Sequence, residues 1–190
     1  ASLMGLTALL PLPDIRASDS LERDLRQMGG QVFTNRASGK IQEINLNGHP
    51  GVSPALLKRI GNLGSLTDLS LEKTPTDDAG VSHLSSLPKL QWLNLYRTRI
   101  SDPGLAKIAQ IQSLTDLPIG ETLITDIGLR HLTNLTRLRY LGLRATKITD
   151  DGLRHLTVLS NLTGLHLGET KISNPGLQQL PRLPKLQKLW

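Results

Sequence analysis

Threonine recurs in register along this 190-residue chain, and its hydroxyl is one of the side-chain groups that can act as a nucleophile. The five positions, spaced 24 residues apart, are Thr74, Thr98, Thr122, Thr146 and Thr170. A nucleophile needs a base beside it, and the repeating sequence places none next to these residues. A hydroxyl at the end of a strand can instead donate to a neighbouring carbonyl that has no ladder partner. The sequence therefore predicts a structural role for the threonines.

Histidine also shares one position of the repeat, at His83, His131 and His155. The last two lie in adjacent repeats, but the repeat supplies no carboxylate between them, and a zinc site needs three or four converging ligands. We therefore predict a solvated helix face and no metal site.

Glycine recurs once per repeat as well, at Gly80, Gly104, Gly128, Gly152 and Gly176. Because they recur with the repeat, we attribute them to a turn and not to a phosphate-binding loop. The chain has no cysteine, which excludes a thiolate nucleophile. No Ser-His-Asp grouping and no inward pair of carboxylates emerges. The sequence predicts no enzymatic activity and no cofactor.

The elements that position these residues follow from the segment Leu138–Asn161, which recurs leucine for leucine from Leu114 and from Leu162. Counted from the first apolar residue of each repeat, positions 1, 4 and 6 are Leu or Ile, as in a strand with one buried face. Apolar residues spaced three apart then indicate a helix. Its predicted N-caps are Ser101/Asp102, Thr125/Asp126, Thr149/Asp150 and Ser173/Asn174. The sequence predicts an α/β right-handed solenoid with a concave parallel sheet inside and short helices outside.

Two regions are expected. Residues 1–40 form an N-terminal segment and cap, with a helix that starts at Ser18 or Asp19, a stop at Gly29-Gly30 and a hairpin that begins with a strand from Gln31 to Thr34. Residues 41–190 form the repeat domain, with six repeats and a truncated seventh. A cap is expected because the first repeat needs a polar cover.

With leucines at positions 1, 4 and 6 and the segment T-x-I-T-D-x-G-L, residues 41–190 resemble the leucine-rich repeat proteins. The 24-residue form is similar to the cysteine-containing type found in F-box-associated and bacterial proteins, although position 9 is Thr where that type often has Cys or Asn. The resemblance implies a horseshoe-shaped scaffold that recognises a protein on its concave sheet.

Strand positions 3, 5 and 7 point into the concave face, because side chains alternate along a strand. Trp, Tyr and Arg on an exposed sheet are typical of binding hot spots. The residues predicted to bind a protein or peptide are Asp68, Glu72, Trp92, Asn94, Tyr96, Asp116, Tyr140, Arg144 and His166.

Two features of this face suggest how a ligand would lie. Only Pro118 and Gly120, beside Asp116, separate the Trp92/Tyr96 pair from the Tyr140/Arg144 pair, which predicts a gap of about 10 Å at ordinary strand spacing. Acidic residues lie at one end of the strip and basic ones at the other, which favours a ligand carrying both charge signs.

The net charge of +6 lies entirely in residues 96–190. Such asymmetry suits either acidic partners or a plain solvated surface. A nucleic-acid partner is disfavoured because the basic residues are not interleaved with aromatic ones. The sequence contains no run of eighteen apolar residues, which is the length that would predict a membrane-spanning helix. The apolar residues 1–13 are either the remainder of a trimmed signal or anchor, in which case the protein is exported, or a strand on the cap.

The last repeat breaks off at Trp190 without a second cap. Either the array continues in a longer protein, or two copies meet end to end as a homodimer through Leu186, Leu189 and Trp190. The sequence thus leaves two functions, a protein-binding module and a structural element that associates through its open end.

Overall fold

The computed structural model describes residues 15–190, with side chains from residue 19 onward. Strands and helices alternate along it. The strands are β1 Gln31–Thr34, β2 Ile41–Asn45, β3 Asp68–Ser70, β4 Trp92–Asn94, β5 Asp116–Pro118, β6 Tyr140–Gly142, β7 Gly164–His166 and β8 Lys188–Leu189. The α-helices are α1 Ile15–Gln27, α2 Pro54–Ile60, α3 Asp78–Ser82, α4 Asp102–Ile108, α5 Asp126–Leu129, α6 Asp150–Leu156 and α7 Asn174–Leu177, and 3-10 helices cover Arg130–Asn134 and Leu180–Arg182.

The eight strands found in residues 15–190 form one sheet in chain order. β1 pairs antiparallel with β2, and every later neighbour pairs in parallel. The expected helix and hairpin therefore cap the first repeat, and the parallel sheet with outer helices is confirmed. Residues 1–13, for which a signal remnant or a strand was expected, lie outside the described residues.

The cap helix α1 begins at Ile15, so the predicted start at Ser18 or Asp19 is wrong. The residues from Arg16 to Ser18 tolerate helical conformation, and nothing in them stops a helix. The predicted stop is confirmed, because the helix ends at Gln27 and Gly29 has a left-handed φ of 92°.

The core consists of the apolar positions that the repeat predicts, together with Leu21, Leu25 and Val32 of the cap. Leu138, Leu141 and Leu143, at positions 1, 4 and 6 of one repeat, are all fully buried. On the helical side of the same repeat Leu153 and Leu156 are equally enclosed. Each layer covers the next, so the burial of a residue depends on the neighbouring repeats as well as its own.

The recurring threonines complete the turn after each strand. The hydroxyl of Thr122 donates to the carbonyl of Ile119 at 2.7 Å, and Thr146 bonds Leu143 in the same way at 2.7 Å. The three remaining threonines of the series do likewise. The predicted structural role of these residues is confirmed.

An aspartate at the start of each of four outer helices, α3 to α6, links one repeat to the next. The carboxylate of Asp102 accepts two hydrogen bonds from Thr125, one from the backbone N–H at 2.8 Å and one from the hydroxyl at 2.6 Å. Asp126 holds Thr149 with the same two distances. We call this series the aspartate ladder; its members are Asp78, Asp102, Asp126 and Asp150. It satisfies helix N-cap residues across repeat boundaries.

The ladder also explains four of the five repeated glycines, and the explanation differs from the predicted turn; at the fifth, Gly80, a Cβ would meet the side chain of Leu57 instead. Gly104, Gly128, Gly152 and Gly176 have no left-handed φ. A Cβ at any of them would lie closer than 3.0 Å to the ladder carboxylate of the preceding repeat. Glycine is required there because the carboxylate occupies the space of a side chain.

Position 8 of each repeat does adopt the left-handed conformation. Gly48 occupies it first, with φ of 73°. In the later repeats the residues are not glycine, and φ lies between 50° and 59° at Lys73, Arg97, Glu121, Ala145 and Glu169. Their side chains stand at the edge of the concave face where the strands end.

Candidate functional site

One line of side chains crosses the concave face from the cap to the last strand. Register pairing joins its members from strand to strand. We call it the position-3 row; its members are Phe33, Glu43, Asp68, Trp92, Asp116, Tyr140, Gly164 and Lys188. The first six members of this single line are all aromatic or acidic, and Gly164 and Lys188 complete it.

The first four members of the row enclose a concave pocket of about 360 Å³, which we call the acidic pocket. Phe33, with 53% of its surface exposed, stands on one side and Trp92 on the other. Glu43 and Asp68 are register partners in β2 and β3, so their side chains lie on the same face one strand apart. Within residues 19–190, neither carboxylate has a hydrogen-bond or ion-pair partner.

Other predicted acidic residues on this face are already partnered. Glu72 forms an ion pair with Lys73 at 3.0 Å and accepts from the amide of Asn94 at 3.3 Å. Asp116 accepts from the hydroxyl of Thr115 at 2.6 Å. Asn94 is only 7% exposed, so it supports its neighbours in the sheet.

A charged network occupies the edge of the face beyond the ends of strands β4 to β7. We call it the rim network; its members are Tyr96, Arg97, Glu121, Arg144 and Glu169. Arg144 donates to the Tyr96 hydroxyl at 2.7 Å and forms ion pairs with Glu121 at 3.0 Å and with Glu169. Arg97 pairs with Glu121 at 2.6 Å.

The network perturbs the ionisation of its members. The Tyr96 hydroxyl donates to Glu121, and this bond, with burial, raises the pKa of Tyr96 above its usual 10.0. The same bond, helped by Arg97 and Arg144, lowers the pKa of Glu121. The hydrogen bond to Glu169 raises the pKa of Arg144. Arg144 is therefore a fixed cation with its charge neutralised in place.

Two features expected from the sequence change with this geometry. The ring of Tyr96 would lie 3.1 Å from a Cβ on Gly120 and its hydroxyl meets Arg144, so the predicted gap is bridged at the edge where the strands end. The predicted basic end of the strip is also altered, because two glutamates neutralise Arg144. Strand alternation did not predict either glutamate on this face, since both lie at position 8, after the strand has ended.

A second aromatic group lies on the far part of the face. The ring of Trp190 stacks on His166 with centroids 6.0 Å apart and meets the edge of Tyr140 at 6.1 Å. Gly164 leaves the space between Tyr140 and Trp190 open, since a Cβ there would touch both rings. Burial, with the nearby Asp116 carboxylate, raises the pKa of Tyr140 above 10.0.

This placement also concerns the predicted end-to-end contact. Trp190, 52% exposed, belongs to the aromatic group on the concave face. Leu189 is exposed, whereas Leu186 packs partly against the core. The homodimer through these residues stays a prediction.

The outer helices carry the three histidines at one repeat position. Burial lowers the pKa of His155 below 6.5, and the nearby Arg154 and Arg130 lower it further. Between residues 15 and 190, no group of three or more metal-binding side chains converges. In the same stretch, no helix combines the length and apolarity that crossing a bilayer requires.

Comparison with known proteins supports the fold. No protein-family model matches the sequence, and no curated protein matches it. Among solved structures, internalin C2 from Listeria monocytogenes is similar with a TM-score of 0.57 and 22% identity, over 79% of this chain and 80% of that one. A leucine-rich repeat protein from Leptospira interrogans is similar with a TM-score of 0.61 and 25% identity, over 77% of this chain and 36% of that one. The fold is that of a leucine-rich repeat solenoid.

Proposed function

We propose that this chain is a non-enzymatic interaction module that binds a protein or peptide segment on its concave face. The observation that carries the proposal is the pair of unpartnered carboxylates, Glu43 and Asp68, set between Phe33 and Trp92. The likeness to leucine-rich repeat proteins supports protein binding in general. A catalytic role has no comparable support, because the recurring hydroxyls are committed to backbone carbonyls.

The chemistry of the acidic pocket favours a basic side chain of the partner. Like charges on register neighbours repel each other, and a cation placed between them removes that repulsion. Aromatic faces on either side attract the same cation. An arginine suits both features, because its planar guanidinium pairs with carboxylates and stacks on rings.

The rest of the position-3 row suggests how the partner continues. Asp68 in β3 and Tyr140 in β6 are three strands apart, which is about 15 Å at ordinary strand spacing. An extended segment covers that distance in about four or five residues. The partner would therefore place an apolar or aromatic residue four or five positions from its basic residue, against Tyr140 and Trp190.

Selection from a displayed library of random extended peptides tests this proposal. Wild-type protein should enrich peptides with Arg or Lys followed at that spacing by an apolar residue. The double variant Glu43→Gln/Asp68→Asn should lose the basic preference. Its matched control is Asp19→Asn/Asp151→Asn, which changes the charge equally at exposed sites outside the concave face.

The selected peptides then allow the aromatic residues to be tested. Trp92→Ala and Tyr140→Ala should each weaken binding by about 1–3 kcal/mol, as hot-spot residues do, with a nearly unchanged melting temperature. Enrichment without any basic residue, or equal binding by the concave and control variants, would contradict the proposal. Unfolding of either aromatic variant would assign that residue to structural cover of the sheet.

We also infer that the repeats are of the cysteine-containing type, with threonine in place of cysteine. Support comes from the hydroxyl bonds to the carbonyl three residues earlier, 2.6–2.7 Å long in all five repeats. Thr122→Cys should fold with a melting temperature close to that of the wild type, because the thiol is a similarly small donor. Thr122→Val should fall well below both.

A further inference from the structure

A second pocket lies away from the concave face, at the edge where strands β4 to β8 begin. It encloses about 480 Å³, and we call it the basic pocket. Its charged lining consists of Arg137, Arg139 and Lys185, and no carboxylate contributes to it. The proposed concave-face function does not use these residues.

The repeat explains why cations collect there. Arg137 directly precedes the first apolar residue of its repeat, Arg139 directly follows it, and Lys185 precedes the equivalent residue two repeats later. Two strand spacings separate Arg137 from Lys185, about 10 Å, which long side chains can span. In these two positions no repeat of the chain carries Asp or Glu, so neither position brings a carboxylate to this edge.

The three cations are also unpaired. Within residues 19–190, neither arginine of the pocket has an acidic partner, and the Lys185 ammonium donates only to the side-chain oxygen of Asn161, at 2.7 Å. The Asn161 amide donates to the carbonyl of Thr136 at 2.8 Å, which fixes its oxygen toward the lysine. Asn161 is therefore a positioning residue.

A pocket at the opposite edge of the sheet provides the contrast. Lys73, Arg97 and Arg99 line it; Lys73 is paired with Glu72 and Arg97 with Glu121. Acidic partners thus neutralise two of its three cations. In the basic pocket, by contrast, none of the three cations has an acidic partner among residues 19–190.

We propose that the basic pocket binds a phosphate or sulfate monoester. The planar guanidinium groups of Arg137 and Arg139 suit two-point hydrogen bonding to such an oxyanion, and Lys185 adds a third charge. The volume is many times the roughly 30 Å³ of a water molecule, so the group can enter with part of its carrier. No aromatic side chain lines the pocket, so it offers no surface for stacking a nucleic-acid base.

Titration of the full chain followed by NMR, in buffer without phosphate or sulfate, tests this site. The probes are N-acetyl-phosphoserine methylamide, glucose 6-sulfate, inorganic phosphate and the uncharged N-acetylserine methylamide. Binding should shift the backbone amides of Arg139, Thr163 and Lys185, and added sodium chloride should weaken it because salt screens exposed charges. Saturable shifts with either ester support the proposal, and comparison of the two identifies the preferred oxyanion. If inorganic phosphate binds as tightly as both esters, the proposal of an ester ligand is overturned and the pocket is a site for a free anion.

Variants separate this site from general attraction of anions to a basic protein. Arg137→Gln/Arg139→Gln should weaken ester binding by at least about tenfold, since it removes two charge-assisted contacts. The matched control, Arg130→Gln/Arg154→Gln, removes the same charge on the helical side and should leave binding within about twofold. Equal loss in both variants, or no saturable shift with any probe, would overturn the proposal. Trp92→Ala should leave ester binding unchanged, so this test is independent of the concave face.

Discussion

The carboxylate of Asp102 occupies the space that a side chain on Gly128 would need, one repeat further along the chain. The contact couples adjacent helices, because the same carboxylate holds Thr125 at the start of α5. Gly128→Ala should lower the free energy of unfolding by about 1–3 kcal/mol, the usual cost of overpacking. Denaturant unfolding measures the loss.

Removal of the carboxylate should reverse that cost. In an Asp102→Ala background, Gly128→Ala should be neutral or stabilising, because alanine favours a helix over glycine by about 1 kcal/mol. Gly64→Ala is the control: a Cβ there meets nothing within 4 Å, so the change should stay within about 0.5 kcal/mol. If the effects of Asp102→Ala and Gly128→Ala simply add, then another part of the structure moves to relieve the contact between the two positions.

Leu141 tests the assignment of the buried strand face. It is fully buried between neighbouring repeats, so Leu141→Ala should cost about 2–5 kcal/mol in unfolding free energy. Val158→Ala, at an exposed position, should change it by less than about 0.5 kcal/mol. A loss below about 1 kcal/mol for Leu141→Ala would reverse the inward and outward faces of β6 and the whole concave surface with them.

The chain has two tyrosines, and both should ionise above pH 10.0 in the folded protein. A tyrosine whose pKa is raised on folding stabilises the fold at pH values below its unfolded-state pKa. That contribution is lost as the pH rises through its folded-state pKa. Glu121→Gln should bring the Tyr96 titration down toward pH 10.0 and leave Tyr140 unchanged. Ultraviolet absorbance during alkaline titration follows both groups, with Tyr140→Phe as the assignment control. A Tyr96 titration that Glu121→Gln does not alter would exclude the hydrogen bond.

Asp150, the last member of the aspartate ladder, should make stability fall in acid. Bonds from the Ser173 hydroxyl and backbone N–H lower the pKa of Asp150 below 3.8. The ionised Asp150 carboxylate therefore stabilises the fold above pH 3.8, and this contribution is lost as the pH falls through the lower pKa of the folded state. Asp150→Asn should reduce stability at neutral pH and flatten its decline below about pH 4. Urea unfolding across that range measures both effects, and an unchanged slope would contradict the prediction.

Much of this architecture could be predicted from the sequence because one spacing repeats. Leu141 and its equivalents lie in identical layers, so periodicity alone identifies the buried face. The role of Thr122 followed from a general need, since carbonyls at strand ends lack ladder partners. The site was less predictable. Phe33 lies in an antiparallel strand outside the repeat, and its alignment with Glu43 depends on hairpin register.

Two further contacts escaped prediction for reasons of geometry. Glu121 and Glu169 lie just beyond the strands, where the left-handed backbone returns their side chains toward Arg144. Strand alternation does not extend to such a position. In the sequence, three members of the aspartate ladder, Asp102, Asp126 and Asp150, directly follow a Ser or Thr. Each such Ser/Thr–Asp pair also fits two alternative caps of one helix, so the sequence does not reveal that the Asp bonds to the next helix.

The left-handed residues at position 8 also have an energetic meaning. A residue with a side chain pays roughly 1–2 kcal/mol for this conformation, and the chain adopts it at five such places. Four of them, Lys73, Arg97, Glu121 and Glu169, form ion pairs; Ala145 does not. Backbone strain is thus distributed along one edge of the horseshoe and held by the stacking of neighbours. When a repeat loses its neighbour, relief of that strain favours local opening at this edge, so the array would fray there before its leucine core separates.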